Sequence, residues 1–178
     1  MNHTIHIKKL GPINECTLEI KQFNVFTGPQ SNGKSTVAKA IYYCRSIKQD
    51  ILNIMMQGGP SKVFSAKTDW KCAMQARMKD KFLQIFGTSW IMPSDMMLDY
   101  VYGDEKMSLC VSLNEDYERP GHNYVNIQFS EGFLELFQEL DDNVFLDPYA
   151  FKKGHWKKCS PKPSMIHTRP CLFQQAVT

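Results

Sequence analysis

Around residue 28 the chain changes its hydrophobic period. Upstream, Ile5 and Ile7, then Cys16, Leu18 and Ile20, alternate with polar neighbours, with Gly11-Pro12 as the turn between the two runs. Phe23 to Phe26 is a short apolar run that reads as a further strand. Downstream, Val37, Ile41, Cys44, Ile47 and Ile51 recur every three or four residues, so a helix is expected from Lys34 to about Leu52, stopped by Gln57-Gly58-Gly59-Pro60. A strand delivered into a helix through a loop bounded by Gly28 and Gly33 is compatible with few architectures, most of them α/β.

That loop, Gly28-Pro29-Gln30-Ser31-Asn32-Gly33-Lys34-Ser35, satisfies G-x-x-x-x-G-K-[ST], the phosphate-binding Walker A loop, and stands between an expected strand and helix as the motif requires. Its glycines permit backbone angles that let successive N–H groups converge on an anion, and the positive end of the helix adds to the field. Lys34 is expected to reach the β- and γ-phosphates, Ser35 to take one position on Mg²⁺, and Thr36 to add a weaker phosphate contact. The nucleotide-binding set is therefore Gly28, Pro29, Gln30, Ser31, Asn32, Gly33, Lys34, Ser35 and Thr36, with Ser35 on the metal. The ligand expected is a nucleoside triphosphate with magnesium.

Beyond the first helix, Asp69 to Phe86 carries Trp70, Ala73, Met74, Phe82, Ile85 and Phe86 at helical spacing, with Gly87 as terminator. The period then returns to two through Tyr100 and Tyr102, Met107 to Leu113, and Val125 to Phe129, which predicts an antiparallel three-stranded meander. Ser130 is placed to cap a short helix carrying Phe133, Leu134, Phe137 and Leu140. From Lys152 no periodicity survives and Pro161, Pro163 and Pro170 interrupt the chain, so 1–151 is read as the folded lobe and 152–178 as a basic, poorly ordered tail. The fold expected is α/β, a P-loop core with a mixed sheet and an antiparallel meander subdomain.

Composition narrows the class. With 43% hydrophobic and 22% charged residues in 178, collagen-like and fully disordered chains are excluded. No apolar run approaches the ~18 residues of a membrane span, and the first ten residues form no signal-peptide core, so no membrane association and a cytoplasmic location are expected. The net charge of +3 hides six tail cations, Lys152, Lys153, Lys157, Lys158, Lys162 and Arg169, which leave residues 1–151 at −3 and indicate no general nucleic-acid-binding face. The six scattered cysteines read as reduced thiols.

On Ile5-x-Ile7-x-x-Leu10-Gly11-Pro12-Ile13, Leu18-x-Ile20, Val25-Phe26-Thr27-Gly28-Pro29 and Gly33-Lys34-Ser35-Thr36, the chain resembles the N-terminal lobe of an AAA/ABC-type ATPase of the SMC/RecF-like branch, as found in bacterial anti-phage and DNA-maintenance systems. The resemblance is specific over residues 4–52 and architectural over 82–129. It implies ATP as the nucleotide, a base packed near the opening strands, a second ATPase lobe or homodimer partner, and DNA as a target of the wider system. The signature motif, the Walker B Asp-Glu pair and the switch histidine of that family have no counterpart here, so the resemblance implies ATP binding without efficient hydrolysis by this chain alone. Val144-Phe145-Leu146-Asp147 is the nearest run to a Walker B strand, but Pro148 follows the Asp. Gln128 is the nearest option for the family's metal-supporting glutamine, against an exposed strand position.

Other signals carry less. His155-x-x-x-Cys159 and His167-x-x-x-Cys171 could supply four zinc ligands, but their spacing and prolines favour an unstructured tail, whose lysines and Trp156 could also touch nucleic acid. His3 and His6 read as exposed strand positions, and the Met55-Met56 and Met96-Met97 pairs as adaptable packing. The rival functions are a complete small P-loop kinase and a non-catalytic scaffold that keeps the phosphate loop. Against the kinase, strands precede the loop, and the four arginines, Arg45, Arg77, Arg119 and Arg169, form no lid cluster. An incomplete lobe is expected to leave an apolar, partner-seeking face.

Overall fold

The computed structural model describes residues 2–64, 68–87, 89, 92–103, 106–115 and 123–142. The chain divides into two units, Met1–Phe145 and Leu146–Thr178, and all of the second lies outside the described residues. So do the expected domain edge at 151, the Val144 to Asp147 run, the two His/Cys pairs and the basic tail.

The first unit is mixed α/β. Strands β1 (His3–Leu10) and β2 (Ile13–Ile20) form the opening hairpin. Helices α1 (Lys34–Arg45), α2 (Ile47–Met56), α3 (Pro60–Val63) and α4 (Trp70–Phe86) follow, then β3 (Met97–Val101), β4 (Ser108–Glu115), β5 (Asn123–Phe129) and α5 (Glu131–Asp142). The five strands make one open sheet in the order β2-β1-β3-β4-β5, every pair antiparallel.

Two expectations are corrected here. The sheet is wholly antiparallel, not mixed, and the meander extends the opening hairpin through the β1–β3 pair instead of forming a separate subdomain. Both hairpin and meander are made of short connections that reverse direction, and none of the described strands runs parallel to a neighbour. The second correction concerns Phe23 to Phe26, which joins no strand; Phe23 is 83% and Val25 67% exposed. A strand exists only where a neighbour accepts its backbone hydrogen bonds, and none of the described strands pairs with this segment.

The two-residue period settles which face is buried. Cys16, Ile7, Leu98, Val111 and Ile127 lie in one cross-strand row, and Leu18, Ile5, Tyr100, Leu109 and Phe129 in the next. These rows face the helices, and most of their members are fully buried. The opposite face presents His6, Lys8, Asp99, Ser112 and Gln128. His3 shares the parity of Ile5 and therefore turns inward, its ring 5.7 Å from that of Tyr100, so it is not the exposed position expected. His6, on the outer face, lies 3.1 Å from Glu15.

Helix α4 is the hub of the helical layer, touching α1, α2, α5 and β5. Asp69 caps it, accepting a hydrogen bond from the Cys72 N–H at 2.7 Å that holds its carboxyl below the usual range, and Gly87 ends it at φ 82°. Its buried Phe82 meets Tyr43 of α1 edge-on at 5.6 Å, and the Tyr43 hydroxyl donates to the Met78 carbonyl. The single helix expected from Lys34 to Leu52 is broken at Ser46, whose hydroxyl donates to the Tyr43 carbonyl at 2.7 Å. Below the break, Asp50 is 2% exposed and paired with both Arg77 and Lys81 of α4.

Candidate functional site

The loop from Gly28 to Ser35 lies where the β1–β2 turn meets the first turn of α1. Gly28 (φ 142°), Ser31 (67°) and Gly33 (81°) take positive φ. Alternation between ordinary and left-handed residues is the backbone form that gathers successive N–H groups into an anion-binding concavity. Gly33 is the tight point, because a Cβ there would stand 2.8 Å from the Ile13 side chain and 3.4 Å from Pro12. The hairpin turn thus presses directly on the loop, and glycine is required both for that approach and for the angle.

Helix α1 begins at Gly33 without a capping side chain and without an acid in its first turn. Its first N–H groups and the positive end of its dipole are therefore left for an external anion. A cavity of about 460 Å³ lies against this helix start, lined by Pro12, Gly28, Gln30, Ser31, Asn32, Gly33, Lys34, Ser35 and Thr36. Eight of the nine residues read from the sequence thus border one space; Pro29 contributes its carbonyl instead, which accepts a hydrogen bond from Lys34 Nζ. The same ammonium donates to the Gly28 carbonyl at 2.8 Å. An incoming phosphate would offer this cation a charged, stronger acceptor in place of two neutral ones.

Ser35 is exposed at the cavity wall and Thr36 half-buried beneath the β1–β2 turn. Among the described residues no group of three or more His, Cys, Asp or Glu could hold a metal ion, so Ser35 offers a single hydroxyl and not a cage. Gln128 is exposed on the sheet face turned away from the helices, and the structure does not bring it to the loop. Asp147 lies outside the described residues. Pro12 is the wall residue that sequence reasoning missed; Gly11-Pro12 reads only as a turn, and nothing local says that the turn folds onto a loop some twenty residues later. Among the described residues Cys16, Cys44, Cys72 and Cys110 are free thiols, and no helix is long and apolar enough to cross a membrane.

No family model matches the chain, and no curated protein or solved structure matches it.

Proposed function

We propose that the Gly28–Ser35 loop binds a nucleoside triphosphate with magnesium, ATP by the resemblance, and that the chain serves as the nucleotide-holding lobe of an SMC/RecF-like ATPase whose hydrolytic groups come from a second lobe. The observation that carries this reading is the cavity at the uncapped start of α1, bordered by the motif's lysine, serine and threonine together. Lys34 would hold the terminal phosphates by charge. Ser35 would take one position on Mg²⁺, a metal that would there neutralise part of the charge of the phosphates.

Support for a missing second lobe comes from Val25 and Phe26. The segment leading into a phosphate loop is ordinarily a buried strand, yet here both residues are exposed at 67% and 36%. A partner that pairs with this segment would bury them and complete the mount of the loop.

Calorimetric titration of Mg-ATP and Mg-GTP into the wild type and Lys34→Ala, followed by a phosphate-release assay, tests the proposal. We expect binding that Lys34→Ala weakens by roughly tenfold to a hundredfold, and no release by the chain alone. Release that depends on Lys34 would place a catalytic acid within this chain and make Asp147 the next residue to change. Absence of binding would remove the nucleotide reading, and ADP formation that needs a small acceptor would replace it with a kinase.

A further inference from the structure

The sheet has two edges, and they are treated differently. At the β5 edge, helix α4 reaches around the strand: Gln75 donates to the Ile127 carbonyl at 3.0 Å, and the Lys79 ammonium lies 5.6 Å from the centre of the Tyr124 ring. At the other edge stands β2, eight residues long and paired on one side only, with β1. Among the described residues its backbone has no partner on the second side, and its two side-chain bonds, Glu15 with His6 and Glu19 with Asn2, both involve residues at or next to β1. A long strand with an open row of backbone donors and acceptors is a template for another strand.

The order of side chains along β2 says which strand fits. Cys16 and Leu18 belong to the rows that face the helices, yet both are only half-buried, because the sheet ends beside them. Glu15 keeps its side chain 67% exposed. Lys21, just past the strand, is exposed and forms no ion pair among the described residues. Its backbone is held in place by Asn24, whose side chain accepts from the Lys21 N–H at 3.2 Å and donates to the Lys21 carbonyl at 2.8 Å.

We infer that β2 pairs antiparallel with β2 of a second copy of this chain, centred on Leu18, so that one sheet runs through a twofold dimer. Residues directly opposite in an antiparallel pair share a face. With Leu18 against its own counterpart, Cys16 meets Ile20 and Glu15 meets Lys21, each twice by the symmetry. The apolar row is thereby extended on the helix side and two ion pairs form at the ends. Centring on Thr17 instead would set Glu15 against Glu19, like charges, twice, and centring on Cys16 would set Ile13 against Glu19 and leave Lys21 without a partner. An interface of one strand pair lies below the roughly 1,200 Å² of stable complexes, so the dimer is weak and forms at high concentration.

The test is sedimentation equilibrium of the full chain without nucleotide, from about 1 µM to about 1 mM, on the wild type, Glu15→Lys, Lys21→Glu and the double variant. Both positions are exposed, and circular dichroism checks that each variant folds. The inference expects a wild-type dimer, a dissociation constant raised about tenfold by either single change, which sets like charges opposite each other twice, and recovery to within about threefold in the double variant, where the pairs re-form with their signs exchanged. A wild type that stays monomeric throughout would overturn it. Dimerisation indifferent to the single changes, or weakened by them without recovery in the double variant, would also overturn it, by placing the contact elsewhere or in another register.

Discussion

Asp50 shows how a single residue can hold two elements together. It occupies the apolar phase of its helix between Ile47, Ile51 and Ile54, is 2% exposed, and meets Arg77 Nε at 3.3 Å and the Lys81 ammonium. Lys81 also donates to the Ser46 hydroxyl at 3.0 Å, so the pair network sits where α1 breaks into α2. Asp50→Ala would leave a largely buried ammonium without its anion, and a loss of roughly 3 kcal/mol in denaturant unfolding is expected. A loss below about 1 kcal/mol would show that water reaches Lys81. The signal was present in the sequence, since an acid in the apolar phase of a helix implies a buried partner, but its partners lie 27 and 31 residues on. His3 is the second case. Its Nδ1 and the Tyr100 hydroxyl are buried with no hydrogen-bond partner among the described residues, and burial with the nearby Arg45 charge holds its pKa below 6.5. The unfolded chain therefore takes up a proton at about pH 6.5 while the folded one does not, so stability falls as pH drops below that value, until the lower folded pKa is passed. His3→Gln should lose less stability than the wild type between pH 7 and pH 5, as measured by thermal or urea unfolding at each pH. Parity alone could have placed His3, because residues 3 and 6 cannot share a face that excludes Ile5 and Ile7.

At the scale of elements, the loop-to-helix junction depends on one close approach. Gly33→Ala would place a methyl group 2.8 Å from Ile13 at a φ of 81°, a backbone cost of about 1–2 kcal/mol before any packing strain. We expect a lowered melting temperature together with weakened Mg-ATP binding, whereas Lys34→Ala should weaken binding with little change in melting. Equal effects from the two variants would mean that Lys34 is structural. Elements whose signal is internal were legible: β1, β2, the meander strands, α4 with its Asp69 cap and Gly87 stop, and α5. Where the signal depended on a neighbour, reading failed. Ser130 shows the mixture, since its carbonyl accepts the first α5 bonds while its hydroxyl leaves the cap position to donate to the Lys106 carbonyl and accept from the Ser108 N–H. The Phe23 to Phe26 run has the composition of a strand and no partner among the described strands.

At the scale of the molecule, that unpaired segment gathers three of the large apolar side chains exposed among the described residues; Met56, Tyr42, Phe64 and Tyr124 are exposed singly elsewhere. Phe23, Val25 and Phe26 are exposed just before the Gly28–Ser35 loop, and adjacent large apolar side chains left open to water invite burial by a partner. Concentration-dependent association is therefore expected in sizing with light scattering, reduced in Phe23→Ser/Val25→Ser; a wild type that stays a monodisperse monomer at high concentration would count against a partner-seeking face. The period change near residue 28, the Gly28 to Thr36 pattern on which the proposed phosphate site rests, and the parity of each strand are properties of a few consecutive residues, and the amino-acid order alone determined them. Only the tertiary structure decided that β1 pairs with β3 to make one antiparallel sheet, that Asp50 has its cations, and that Pro12 and Gly11 each wall a cavity on either side of Thr36. Each of these joins residues distant in the chain, and such contacts are selected by how faces pack around a common core, which no local period records.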